Sequence, residues 1–254
     1  KPDGNFPNHD PDTSKLEGLK SLQKKVIETK SNLGFAYDGD GDRLAVVDEN
    51  GKIVYVGVVF SVLIAGALSE SPRSKVIYTA IDSKAIEDVI RRDGGVPMTC
   101  RVGHSFISQK MLEEDAAVAG ELSGHYYFKG THGADDALFA SLKLIEYLTK
   151  SNKKISEYEK EFPKYFSLIT ESNRFDIKES EKFPFIKSIE SEFGKEGYKI
   201  DTLEGVKVLL DDGWILFRPA NTEAKIMICY ESKTKGGFEK LKKIADKIIK
   251  KIPR

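Results

Sequence analysis

The sequence predicts mixed α/β layers followed by an α+β domain with an antiparallel sheet. Two observations lead to this fold class. Between residues 75 and 120, short apolar runs typical of strands alternate with helical patterns, which indicates a largely parallel sheet with helices on its faces. Beyond residue 163, three closely spaced strand patterns precede an amphipathic helix, which favours an antiparallel sheet.

The elements before residue 75 surround a short acidic loop. Residues 16–27 have apolar side chains at helical spacing, and residues 33–37 and 44–47 have the pattern of strands. A turn at 48–51 leads to a further predicted strand at 52–56. The uncharged run 53–68 is shorter than the roughly 20 residues that span a bilayer, so we interpret it as a buried strand and core helix and expect no membrane partner.

The remaining elements fall into two groups separated by a charged linker at 150–164. In the first group we expect strands at 75–80, 96–101 and 116–120, and helices at 83–92, 106–114 and 135–149. The last of these helices should bury Leu138, Leu142, Ile145 and Leu148. In the second group we expect strands at 166–177, 206–210, 214–218 and 224–230, and helices at 181–193 and 238–252.

Composition limits the classes of partner. The 254 residues are 40% hydrophobic, so the chain can bury a sizeable core. Forty basic and forty acidic side chains cancel, and no global field attracts nucleic acid. Cys100 and Cys229 lie far apart in apolar stretches and resemble buried free thiols, which favours a reducing, cytoplasmic location.

The most informative stretch is the acidic loop at 38–43, where Asp38, Asp40 and Asp42 alternate with glycine before Arg43. Three carboxylates so close together repel one another, and a bound cation relieves that repulsion. Hard carboxylate ligands suit Mg²⁺ or Ca²⁺. An EF-hand is one alternative, although position 6 of that motif should be glycine and a β-run follows where a helix should begin. A solvated acidic turn is the other.

Two further loops carry polar side chains suited to a sugar phosphate. Residues 120–125 follow a short apolar strand and offer Glu121, Ser123 and His125, which could hydrogen-bond neighbouring hydroxyl groups. Residues 218–224 lie between two strands, where Arg218 could grip a phosphate bidentately and Asn221 and Thr222 could add neutral donors. Each loop alone could instead be a polar turn or a surface ion pair.

A fourth stretch joins a strand to a helix. Arg101 ends the predicted strand, and His104 follows a glycine at the start of the next helix. A lone histidine at such a position is more commonly a cap or a packing residue than a catalytic group.

Taken in chain order, these four stretches resemble the metal, histidine, sugar and phosphate loops of one family. That family is the α-D-phosphohexomutases, the phosphomannomutase and phosphoglucomutase superfamily. The resemblance covers the whole chain. It implies that residues 1–52 are the second part of domain two, residues 53–162 domain three and residues 163–254 domain four. The fold class is thus part of domain two plus domain three as α/β layers, followed by the α+β domain.

The resemblance also implies an activity. Enzymes of this family move a phosphoryl group between O1 and O6 of a hexose phosphate through a phosphoserine and a bisphosphate intermediate. Asp38, Asp40 and Asp42 would hold Mg²⁺, and Arg43 would lie beside the phosphoserine. The implied substrate ligands are Arg101, Glu121, Ser123, Arg218, Asn221 and Thr222. His104 and His125 are the implied proton-transfer residues.

Several positions depart from the family pattern. No stretch resembles the family's Thr-Ala-Ser-His-Asn-Pro-like phosphoserine loop. We therefore expect a C-terminal portion of a mutase that is inactive alone and has the missing N-terminal domain as a partner. Ala220 and Ala224 stand where serine and proline are usual. Asn221 favours mannose or glucose phosphates over a phosphoglucosamine mutase, which remains an alternative together with a non-catalytic binding fragment.

Overall fold

A computed structural model describes residues 3–7, 9–169, 173–220 and 223–253. The chain divides into two compact units. The first comprises Lys1–Thr79 and Ala85–Pro163, and the second comprises Ala80–Lys84 and Lys164–Arg254. The predicted domain boundaries near 52 and 162 stay predictions.

The first unit begins with a helix and a hairpin. Helix α1 (Leu16–Thr29) precedes strands β1 (Leu33–Tyr37) and β2 (Leu44–Asp48), which pair antiparallel from Leu33 opposite Asp48 to Tyr37 opposite Leu44. The six residues between the strands are therefore the hairpin loop. Its two ends are fixed by the strand pairing, so the acidic side chains between them are held close together.

The rest of the first unit is an α/β layer. Its elements are α2 (Val56–Glu70), β3 (Lys75–Thr79), α3 (Lys84–Arg92), β4 (Val96–Cys100), α4 (His104–Glu114), β5 (Val118–Gly120), β6 (Tyr126–Phe128), α5 (Ala137–Ser151) and α6 (Ile155–Glu161). The strand order is β4-β3-β5-β6, where β3 is parallel to β4 and β5. The predicted parallel layer is confirmed. The sequence did not indicate β6, which returns antiparallel to β5.

Helix α2 forms the centre of this unit. It is apolar on all sides, and Val62, Leu63 and Ile64 are fully buried in a helix that packs against β2, β5, α5 and α6. An all-round apolar helix is expected only where neighbours cover every face. Among the described residues, no helix combines the length and apolar character needed to cross a membrane.

The second unit is an antiparallel sheet with two helices on one face. Its elements are β7 (Phe166–Leu168), β8 (Arg174–Asp176), α7 (Glu179–Lys195), β9 (Lys199–Asp201), β10 (Val206–Leu210), β11 (Gly213–Pro219), β12 (Lys225–Ser232) and α8 (Lys235–Ile249). The order is β7-β12-β11-β10-β9, and β8 also pairs with β12. Phe217 and Ile228 pack with Ile189 of α7 and Leu241 of α8. The predicted α+β domain is confirmed.

Two element predictions need correction. Residues 52–56 form only one bridge, between Ile53 and Val47, because the helix already begins at Val56. The predicted strand at 166–177 is two strands, β7 and β8, with residues 170–172 outside the described part of the chain.

The buried face of α5 also differs from the prediction. Leu138, Leu142 and Ile145 are 60%, 58% and 44% exposed, and only Leu148 of the predicted set is buried. The helix instead buries Ala137, Ala140, Ser141, Leu144, Tyr147 and Leu148. Small side chains allow α5 to approach α2 closely, and Tyr147 lies directly over Gly66. The three exposed side chains form the α5 apolar stripe.

Candidate active site

The acidic loop is held in shape by Asp38. Its Oδ1 atom accepts hydrogen bonds from the backbone amides of Gly41, Asp42 and Arg43, each at 3.1 Å. Its Oδ2 atom accepts one from Nε of Arg43 at 2.6 Å. Burial by itself raises the pKa of Asp38, but the bonds from the Arg43 amide and guanidinium outweigh it and lower that pKa to about 2. Asp38 is therefore ionised and organises the loop.

The other two aspartates lie beside it. One carboxylate oxygen from each of Asp38, Asp40 and Asp42 falls within 4.8 Å of the others. Asp40 is exposed, whereas Oδ1 of Asp42 is buried and no donor in the described part of the chain reaches it. Burial and the nearby carboxylates raise the pKa of Asp42, although the charge of His125 opposes them. A buried carboxylate oxygen without a donor fits a cation ligand.

The hairpin excludes an EF-hand. Strands flank the acidic loop on both sides, where that motif requires helices. Glu49 stands at the twelfth position counted from Asp38, where an EF-hand has its last ligand, but it accepts a hydrogen bond from Ser156 at 2.6 Å.

The loop between β5 and β6 is anchored by Glu121. This buried carboxylate accepts hydrogen bonds from Tyr127 Oη at 2.9 Å and from the amide of Gly103 at 3.2 Å. Nδ1 of His125 lies 3.3 Å from Oε2 of the same side chain. Burial raises the pKa of Glu121, but hydrogen bonds from His125 and Tyr127 prevail and lower it. Glu121 is thus an ionised anchor that joins this loop to the turn before α4.

A backbone contact joins the acidic loop to the Glu121 loop. Arg43 and His125 form an isolated antiparallel bridge, and the amide of Leu44 donates to the carbonyl of Gly124 at 3.0 Å. Gly124 has φ +92°, and a Cβ atom there would lie 2.9 Å from the carbonyl oxygen of Leu44. Only glycine permits both this backbone angle and this approach.

His125 lies between the two sets of carboxylates. Its Nε2 atom is 3.3 Å from Asp42, and its Nδ1 atom is 2.6 Å from Oγ of Ser123. Burial lowers the pKa of His125, but the hydrogen bond and charge of Glu121, together with Asp42, outweigh it and raise that pKa. The imidazole therefore holds a proton more firmly than an ordinary histidine. Asp135 also has a carboxylate oxygen within 4.8 Å of the ligand atoms of Asp42 and His125.

Arg101 and His104 flank the same turn. Both are exposed; the guanidinium of Arg101 lies 4.4 Å from the ring centroid of Phe106, and His104 begins α4. The hydrogen bond from the Gly103 amide to Glu121 connects this turn to the Glu121 loop, which in turn contacts the acidic loop. The first unit thus brings together three of the four predicted stretches, while the roles of Arg101 and His104 stay predictions.

The fourth stretch belongs to the second unit. Arg218 is buried near the end of β11, and its Nε atom forms a 2.8 Å ion pair with the buried carboxylate of Glu204. Gly205 has φ +114°, and a Cβ atom there would lie 2.4 Å from the carbonyl oxygen of Phe217. Asn221 and Thr222 lie outside the described residues, so their predicted role stays a prediction.

No site role was assigned from the sequence to three supporting residues: Asp12, Tyr127 and Glu204. Asp12 lies 3.2 Å from Nη1 of Arg43. Tyr127 follows His125 by two positions, and that alternate spacing could have indicated a shared side in an extended stretch. Asp12 and Glu204 have no local signal, because their partners are distant in sequence.

Comparison with known proteins matches this arrangement to one family along most of the chain. Residues 1–51 match the family model for phosphoglucomutase/phosphomannomutase alpha/beta/alpha domain II, residues 58–166 the model for domain III, and residues 174–251 the model for the C-terminal domain. These models describe consecutive domains of a single class of protein, the α-D-phosphohexomutases.

Individual relatives agree. A phosphomannomutase from Methanocaldococcus jannaschii is 34% identical over 250 residues, which are 98% of this chain and 54% of that protein. A phosphomannomutase/phosphoglucomutase from Pseudomonas aeruginosa is 34% identical over 251 residues, with the same two shares. A crystal structure of a family protein from Burkholderia thailandensis has a TM-score of 0.85 at 29% identity, covering 98% of this chain and 53% of that one.

The chain belongs to the phosphoglucomutase/phosphomannomutase family, as the sequence resemblance predicted. It spans about half the length of the curated relatives it matches.

The contact between the two loops can be tested by Gly124→Ala. The added Cβ would collide with the Leu44 carbonyl at a backbone angle that alanine resists, so we expect a loss of about 2–3 kcal/mol in unfolding free energy. Urea unfolding followed by circular dichroism measures it. Gly130→Ala is the matched control, because no described atom lies within 4 Å of the place its methyl group would take, and its effect should stay within about 0.5 kcal/mol. Equal stability of both variants would show that the loop contact needs no glycine.

Proposed function

We propose that the chain forms the metal, sugar and phosphate sites of a hexose-phosphate mutase that moves a phosphoryl group between O1 and O6. The observation that carries this proposal is the contact between the acidic loop and the Glu121 loop, which assembles metal-type carboxylates and polar groups around His125. The family membership and the names of the relatives support the reaction class.

Mg²⁺ is the proposed cofactor of the acidic loop. Three carboxylates with ligand atoms within 4.8 Å suit a hard cation, and the buried Oδ1 of Asp42 supplies a ligand that lacks a donor among the described residues. Asp38, Asp40 and Asp42 would hold the ion, which would offset negative charge on the transferring phosphoryl group.

Charged side chains next to this loop have proposed roles in the reaction. The guanidinium of Arg43 is fixed by Asp38 and Asp12, and from there it would stabilise the phosphoryl group. Although burial opposes it, the hydrogen bond and charge of Glu121 raise the pKa of His125, and its imidazolium form could deliver a proton to a sugar oxygen. His104 is the second candidate for proton transfer because it is exposed at the start of α4.

Polar residues in each unit would bind the hexose phosphate. In the first unit, the exposed Ser123 and Arg101 would contact the substrate directly. Glu121 would hold the loop in position and accept hydrogen bonds from sugar hydroxyl groups. In the second unit, Arg218 would hold the phosphate with Asn221 and Thr222. Mannose and glucose phosphates are the proposed substrates.

The phosphorylated serine of the reaction is proposed to come from a polypeptide segment other than these 254 residues, which contain no phosphoserine-type loop. The α5 apolar stripe supports this proposal. Its three side chains are 44–60% exposed, and an additional segment packed on them would remove this surface from water.

Asp40→Asn tests the metal site. Asp40 is exposed and does not hold the loop together, so the variant should stay folded while its Mg²⁺ affinity falls by roughly tenfold or more. Calorimetric titration of Mg²⁺ measures the change, and Asp115→Asn, an exposed aspartate elsewhere in the same unit, should bind like the wild type. Identical Mg²⁺ binding by wild type and Asp40→Asn would remove the loop as the metal site.

Arg218→Lys tests the phosphate site. Lysine keeps the charge opposite Glu204 but loses the planar fork, so we expect inorganic phosphate and glucose 6-phosphate to bind about tenfold more weakly. Ser123→Ala should weaken the binding of glucose 6-phosphate only, because inorganic phosphate lacks the sugar hydroxyl groups that Ser123 would contact. A loss of inorganic phosphate affinity in Ser123→Ala equal to that in Arg218→Lys would contradict these assignments.

A turnover assay tests the origin of the phosphoryl carrier. The chain alone should not convert glucose 1-phosphate to glucose 6-phosphate above background, with or without a sugar bisphosphate, because positioning and charge cannot replace a missing nucleophile. A second assay adds a separately produced half of a family member that carries the phosphoserine. Robust turnover by the chain alone would mean that another residue, such as His104 or His125, accepts the phosphoryl group.

A further inference from the structure

A buried lysine lies behind the proposed phosphate loop. Lys182 of α7 is only 3% exposed, and its ammonium group donates to the carbonyl oxygens of Ala220 at 3.1 Å and Glu223 at 3.2 Å. Burying an ammonium group is costly unless it is paired and hydrogen-bonded, so this position is not an ordinary surface lysine. Its two acceptors are the described residues on either side of positions 221 and 222.

Lys182 and Arg218 lie on opposite faces of the sheet. Phe217 packs among the side chains of α7 and α8, whereas the next residue of β11, Arg218, lies on the face with Met227 and Leu216. Because α7 covers the first face, the Ala220 and Glu223 carbonyl oxygens that Lys182 contacts are directed toward the helices, and the Glu223 carbonyl also accepts the Lys225 amide at 2.8 Å. The negative ends of both peptide dipoles therefore point away from the face that carries Arg218.

The counter-ion of Lys182 lies at the surface. Its partner is Glu179, whose carboxylate lies 2.7 Å away but is 64% exposed to solvent. Water screens such an exposed carboxylate, so it neutralises a buried ammonium group incompletely. The base of the loop is closed separately by the amide of Ala220, which donates to the Lys225 carbonyl at 2.9 Å. Lys182 is therefore not needed to form the turn itself.

We propose that Lys182 is a positioning residue of the phosphate loop. Its ammonium group fixes the carbonyl groups of Ala220 and Glu223 and places positive charge behind the loop, and both effects favour an anion on the opposite side. This inference rests on the proposed phosphate site at Arg218.

Lys182→Met is the decisive variant. It keeps the length and apolar stem of the side chain but removes the donors and the charge. In the full 254-residue chain we expect inorganic phosphate and glucose 6-phosphate to bind about tenfold more weakly by calorimetry. Lys187→Met makes the same change at an exposed position of the same helix and should bind phosphate within about twofold of the wild type. Lys182→Arg should recover most of the phosphate affinity.

Magnesium binding separates a local effect from a general one. Mg²⁺ affinity of the acidic loop should be unchanged in Lys182→Met, and an equal loss of Mg²⁺ and phosphate affinity would overturn the proposal. If Lys182→Met does not fold, Lys182→Gln decides, because it retains an amide donor without the charge; we expect about threefold weaker phosphate binding, and wild-type affinity overturns the proposal.

Comparison with Arg218→Lys distinguishes this inference from the site on which it rests. If Arg218→Lys weakens phosphate binding and Lys182→Met does not, the phosphate site stands and the role of Lys182 is refuted. If neither variant weakens phosphate binding, the proposed phosphate site itself is wrong.

Discussion

Repulsion among three aspartates in one six-residue loop is the constraint on which the first unit depends. The loop folds because Asp38 accepts three backbone amides and the Arg43 guanidinium, which spreads its charge over four donors. Asp42 gains no such compensation at Oδ1 from the described residues, and its raised pKa reflects burial beside two other carboxylates. The charge of His125 offsets part of this repulsion, and the bridge between Arg43 and His125 places the imidazole 3.3 Å from Asp42. The loop contact and the electrostatics of the site are thus one arrangement.

The two units hold their proposed ligand loops with buried charges of opposite sign. In the acidic loop, a buried carboxylate gathers backbone N–H groups; in the loop after β11, a buried ammonium group gathers backbone C=O groups. In each case the buried charge has the sign of the ligand-binding groups it supports. At the proposed sites, Asp38 would add to the attraction for a cation and Lys182 to the attraction for an anion. A neutral side chain could fix either backbone, but it would contribute nothing to the field that a ligand meets.

Sequence reasoning found the parts of the molecule that depend on local pattern. The acidic loop, the polar groups of residues 121–125 and the two fold classes follow from residue spacing and strand–helix alternation. The buried face of α5 could not be found in this way, because hydrophobicity alone assigns Leu138 to the interior, whereas the close approach of Gly66 and Tyr147 selects the small-residue face. For a related reason, Glu204 and Lys182 were not identified. Arg218, the partner of Glu204, and the two carbonyl groups that Lys182 contacts lie in other elements, and a charged residue in a polar stretch gives no sign that folding will bury it.

Glycine connects these distant parts in both units. Gly124 and Gly205 have positive φ, and each lies where a loop crosses closely over a strand or strand end that carries an arginine with a proposed role at a ligand site. Gly124 lies against Leu44, the neighbour of Arg43, and Gly205 lies against the Phe217–Arg218 backbone. In the second unit this crossing sets Glu204 against Arg218, and in the first it sets His125 against Asp42. A side chain at either glycine would hold the loop away from the strand and separate an ion pair that lies within 3.3 Å. The position of each functional charge therefore depends on a residue that carries no charge of its own.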